Sequence, residues 1–154
     1  MSTRAVAPVV GIVVIVAGAI LLGVTLAAVL TSTELTNPPP RLEMAGSIDT
    51  STYVLTLEHL GGDDIDLHSV EFSVEIDDEP LEKQPPIPFF AASGFAGGPT
   101  GPFNSATDDT WSAGERSTFR IASTNDPLPS QNSTVRVTVR QDGAVISSTT
   151  LAHA

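Results

Sequence analysis

The sequence predicts an α+β chain: a single N-terminal hydrophobic transmembrane helix followed by a small antiparallel β-sandwich or barrel-like head. Three observations carry this. Residues 6–30 hold no charged side chain. Asn37-Pro38-Pro39-Pro40 then stops any helix, because proline cannot continue one and extends the residue before it. Beyond that point apolar and polar residues alternate with period two, the signature of half-buried strands.

The apolar run from Val6 to Leu30 is twenty-five residues whose only polar side chain is Thr25. As a helix it is about 37 Å long, enough for a hydrocarbon core of about 30 Å with some tilt. Fifteen of its residues are Val, Ile or Leu, which at roughly 0.4 kcal/mol each favour insertion by about 6 kcal/mol. Arg4 would hold the N-terminus inside and place the C-terminal part outside. The run is too long for the apolar stretch of a secretory signal. Ala7, Gly11, Ala19, Gly23 and Ala27 fall on one four-residue ladder, and small residues at that spacing let helices approach closely in an apolar medium.

Charge is segregated. The chain has 154 residues and a formal net charge of −11, and all eighteen acids and six of seven basic residues lie from Thr31 onward. Nucleic-acid binding is excluded as a function class, because phosphate neutralisation needs clustered Lys and Arg. With no cysteine, disulfides and thiol chemistry are excluded too. An acid-rich, Lys-poor composition keeps a protein hydrated where salt screens charge, and it reads as that of an extracytoplasmic protein of a halophile.

Thr31 to Thr36 extend the helix or fray, giving an expected helix over 6–36 and a stiff Pro-rich hinge at 37–41. The head, 42–154, follows. Val70, Phe72, Val74 and Ile76 alternate with polar residues, as do Val135, Val137 and Val139. Tyr53, Leu55 and Leu57 form a third set, and Phe119 and Ile121 suggest a fourth. Gln141-Asp142-Gly143 suits a tight hairpin into a last strand near Ala144–Leu151. Gly61-Gly62-Asp63-Asp64 marks another turn. The expectation is five to seven strands.

Arg4-Ala5-Val6-Ala7-Pro8-Val9-Val10-Gly11-Ile12-Val13-Val14 resembles the N-terminus of archaeal type IV pilins, especially haloarchaeal ones: a basic and a small residue, then Pro-Val and Gly opening an uncharged helix. The resemblance implies a leader of residues 1–5, cut by a prepilin peptidase between Ala5 and Val6. It implies a helix that first anchors the subunit and later packs in a filament core. Bacterial type IV pilins carry Glu at the fifth mature position, where this chain has Val10. Two elements of the head, Leu57-Glu58-His59-Leu60-Gly61-Gly62-Asp63 and Trp111-Ser112-Ala113-Gly114-Glu115, are also similar to those of haloarchaeal pilin heads.

Between Gln84 and Gly114 a Pro- and Gly-rich segment holds Phe89, Phe90, Phe95, Phe103 and Trp111, five of eight aromatics. A domain this small needs apolar mass, so most of them should cover the sheet, against the alternative of a sticky exposed patch. Residues 58–82 hold ten acids and no Lys or Arg. Asp63, Asp64 and Asp66 offer oxygen ligands for Ca²⁺, but without an EF-hand spacing a solvated acidic face is preferred. His59 and His68 lack any nucleophile or phosphate loop beside them, so no catalytic residue, cofactor or metal is expected. Asn132-Ser133-Thr134 is an N-glycosylation acceptor pattern.

The expected function is that of a structural subunit of a pilus-like surface filament that supports adhesion. Its expected partners are other copies of itself, other pilins, the prepilin peptidase, the pilus assembly platform and the membrane. It would span the membrane once before assembly and lie at the cell surface afterwards. The alternative is a membrane-anchored extracellular binding module that does not polymerise.

Overall fold

The structure is a computed structural model and describes residues 6–31 and 38–154; within the helix, side chains are described for residues 9–24. The chain divides into two units, meeting at Pro38 and Pro39. In the first, α1 runs Val6–Thr31. It begins where charge ends, and Pro8 in the first turn removes an N–H that has no helical partner anyway. Residues 32–36 of the expected helix lie outside the described residues.

The second unit is built from ten strands. Six have five or more residues: β1 (Leu42–Asp49), β2 (Val54–Gly62), β4 (Val70–Ile76), β7 (Arg116–Arg120), β8 (Val135–Gln141) and β9 (Ala144–Thr150). Four are two-residue pieces: β3 (Ile65–Asp66), β5 (Glu79–Pro80), β6 (Thr110–Trp111) and β10 (Ala152–His153). Sheet I has the order β10-β1-β2-β7 and sheet II the order β5-β4-β8-β9, while β3 and β6 pair separately. All pairings are antiparallel except β1 with β10, which is parallel.

One apolar cluster joins the two sheets. Ile48, Leu55, Leu57 and Phe119 come from sheet I, and Phe72, Val74, Ile76, Val135, Val137 and Val139 from sheet II. These are the inward positions of the period-two pattern. Charges stand on the outer positions and pair across strands. Arg116 meets its register partner Glu58 at 2.8 Å. Arg136 meets its register partner Glu75 at 3.2 Å and Asp78 at 2.8 Å, and these partners, Asp78 foremost, raise its pKa above the ordinary value.

Three expectations need correction. Tyr53 is not a strand residue: it sits in the turn before β2 with φ +59°, because Asp49 and Ser51 fold the backbone first. The Asp49 carboxylate accepts from Ser51 N–H at 2.9 Å and from Ser51 Oγ at 2.6 Å. Ile121 lies just past β7 and bridges Phe95 instead. The last strand breaks at Leu151, which is buried and donates its N–H to Val135 at 2.8 Å. After it the chain leaves sheet II for sheet I.

Candidate functional site

Among the described side chains of α1 none is polar, and the large ones are exposed on every side: Val9, Val10, Ile12, Val13, Val14, Ile15, Val16, Ile20, Leu21, Leu22 and Val24 are all more than half accessible. A surface helix of a water-soluble domain keeps one polar face, and a helix apolar all round is buried in protein or lipid. No helix among the described residues is long and apolar enough to cross a membrane; this covers residues 9–24 of the expected transmembrane segment. Of the small-residue ladder, Gly11, Ala19 and Gly23 are described, while the side chains of Ala7 and Ala27 are not. Among the described residues, a Cβ added at Gly11, Gly18 or Gly23 would meet nothing within 4 Å. Of the expected processing residues, Arg4 and Ala5 lie outside the described residues, and Val6 opens α1.

Where the chain enters the head, its backbone is held twice. Arg41 N–H donates to the Asp63 carboxylate at 2.9 Å, and Asp63 N–H donates to the Arg41 carbonyl at 2.8 Å. Gly62 makes this possible: it adopts φ +111°, and any Cβ there would collide with the Arg41 carbonyl oxygen. Sequence reasoning read Asp63 as a possible cation ligand and missed this clamp; the Gly-Asp pair was its only local signal. Asp66 accepts from His68 N–H at 2.9 Å, and His68 Nε2 lies 3.1 Å from Asp109, both exposed. Among the described residues no group of acids and histidines is arranged to hold a metal.

The two head elements singled out in the sequence interlock. His59 N–H donates to Glu115 O at 3.0 Å, and Gly114 N–H donates to His59 O at 2.7 Å. The Trp111 indole N–H also reaches Glu115 O, at 3.3 Å. The Glu115 carboxylate closes its own turn by accepting from Ser112 N–H at 2.6 Å. His59 is fully buried; Nε2 lies 3.1 Å from Gly61 O, and Nδ1 has no partner among the described residues.

The aromatic segment is core. Phe89, Phe95, Phe103 and Trp111 are buried. Phe103 bridges the sheets, with ring centroids 5.1 Å from Phe72, 5.0 Å from Trp111 and 6.4 Å from Phe119. Asn125 ties the segment down, accepting from Lys83 N–H at 3.0 Å and donating to Lys83 O at 2.9 Å and Gly94 O at 3.2 Å. Phe90 is the exception, 69% exposed. Asn132 is exposed in a turn, with Ser133 buried behind it and Thr134 exposed.

No family model matches the chain, and no curated protein matches it by sequence. Among solved structures, a chain of the archaeal flagellum of Methanospirillum hungatei strain JF1 is similar, with a TM-score of 0.50, over 99% of this chain and 94% of that one. The likeness is one of fold. At 18% identity it rests on shape rather than residues, and it extends over nearly the whole of both chains.

Proposed function

We propose that this chain is a pilin-like subunit of an archaeal surface filament, whose activity is polymerisation rather than catalysis. The observation that carries the reading is α1: an uncharged helix, apolar on all described sides, joined to a β head in a chain that shares its fold with a flagellar chain. Such a helix needs an apolar partner all round. Its 26 residues give about 39 Å, long enough to lie across a bilayer before assembly and then to pack with copies of itself. The small residues at Gly11, Ala19 and Gly23 are free for that close approach.

In this reading a prepilin peptidase cuts after Ala5, an assembly platform raises the subunit, and the acidic head faces a salty exterior, where it supports adhesion. The N-terminal pattern from Arg4 to Val14 supports the processing step. The test is mass spectrometry of the N-terminal peptide in material sheared from the native cell surface. A start at Val6 is expected there. A start at Met1 or Ser2 found only in membranes would favour a permanent anchor with a binding head. A start near Val29 would mean a secreted domain and end the filament reading.

A further inference from the structure

Sheet II ends on two edges, each open over part of its length: β4 beyond the cover of β5, and β9, which comes close to β1 of the same head as it runs on toward β10. On one side β5 covers β4 only at Glu75 and Ile76. The Gln84 side chain takes the next step along the edge, accepting from Val74 N–H at 2.7 Å and donating to Val74 O at 3.1 Å. There the cover stops. Val74 points its backbone outward, so with period two Val70 and Phe72 do the same. No intrachain hydrogen bond reaches their outward groups among the described residues. Pro85 and Pro86 have no N–H to offer them. Together with Ile87 these prolines wall a groove of about 480 Å³ along this edge, which Arg140 also lines.

On the other side lies β9. Its pairing phase with β8 is set by Leu151 N–H on Val135 O, which turns the Ser148 backbone outward. From Ala144 to Ser148 this outer edge has no backbone partner among the described residues. Natural edge strands are blunted by a charge, a proline or extreme shortness. β9 has seven residues and no proline, and among the described residues it is the only strand longer than two residues without a charged side chain. Val145 on it is 55% exposed.

β4 and β9 are each antiparallel to β8, so they run in the same direction at opposite edges of one sheet. A second copy in the same orientation therefore brings its β4 beside β9 in parallel, the pairing that β1 and β10 already make within the head. Charge selects this contact. In a chain of net charge −11, joining β4 to β4 at this open edge would set Glu71 against Glu71, whereas β9, which has no charged side chain, meets that edge without like-charge repulsion. We propose that β9 of one copy pairs with the Val70–Phe72 edge of the next, extending sheet II from head to head. The contact is heterologous and need not close, which suits a filament; the proposal rests on the filament reading.

The chain has no cysteine, so introduced thiols report cleanly. Glu71 and Ser148 are exposed, and β8 lies between them within one head, too far for an internal disulfide. Filaments of the full chain carrying Glu71→Cys and Ser148→Cys together, sheared and oxidised, should run as a ladder of covalent multimers without reductant. Each single variant should remain monomeric. Dimers from Ser148→Cys alone would mean that β9 pairs with itself, and would overturn the proposal. So would intact filaments, seen by electron microscopy, that give no ladder; the filament reading would then stand. If the unaltered chain forms no filaments, that reading falls and the head-to-tail pairing with it.

Discussion

The His59 ring packs against the Trp111 indole, with centroids 5.2 Å apart and planes tilted by 44°, and both side chains are fully buried. The contact joins β2 to β6. Trp111 also lies 5.0 Å from Phe103 and 6.1 Å from Phe72, so it touches elements of both sheets. Trp111→Ala should therefore destabilise the head by about 3–5 kcal/mol, read as a shift of the denaturant midpoint by circular dichroism. Trp111→Phe should lose clearly less. Equal losses for the two would show that the indole N–H on Glu115 O matters more than ring volume.

Two glycines separate collision from backbone strain. Gly62 (φ +111°) has the Arg41 carbonyl where a Cβ would stand, and Gly143 (φ +80°) has nothing within 4 Å. Gly143→Ala should cost about 1 kcal/mol, the strain of a left-handed turn residue alone. Gly62→Ala should cost about 2–4 kcal/mol, because a bulky atom is forced into packed backbone as well. Thermal unfolding of both variants checks the order, and the reverse order would contradict the Arg41–Asp63 clamp.

Asp49 gives a pH dependence with a definite sign. Hydrogen bonds from the Ser51 side chain first, then from Thr52 and the Ser51 N–H, hold its carboxyl below the usual carboxylate range. A lowered pKa means a contribution complete above that range and lost as pH falls through it. Asp49→Asn should lower the melting temperature at neutral pH and flatten the decline on acidification, with no change in slope on the alkaline side. A parallel shift at every pH would show that the carboxylate charge is not what counts.

Val13 is exposed in the middle of the described part of α1. Val13→Asp should disfavour membrane insertion by about 3 kcal/mol and abolish filaments, while the head keeps its β signal by circular dichroism. Fractionation and electron microscopy of cells carrying the variant check this. Normal filaments would remove α1 from the assembly core.

Local pattern made much of the head legible. The residues of β4 and β8 alternate between apolar and polar, and Asp142-Gly143, both at positive φ, joins β8 to β9 as their residue types demand. Tyr53 misled because an aromatic two positions from Leu55 continues a strand pattern, while the turn that claims it is set by Asp49 and Ser51. The parallel β1–β10 pairing and the crossing at Leu151 join residues about a hundred positions apart, and nothing in a short window encodes such a register. The His59 and Trp111 elements could be picked out in the sequence; that they meet could not.

The clamp at Arg41 has a mechanical consequence. It ends at β1, which lies inside sheet I between β2 and β10. Tension passed into β1 from the Pro-rich segment would load its antiparallel ladder with β2, whose bonds lie perpendicular to the strand. Those bonds would then share the load together, in shear, instead of opening one after another from a free edge. Pull on the first strand of the head is thereby spread over a whole ladder rather than met by a single bond.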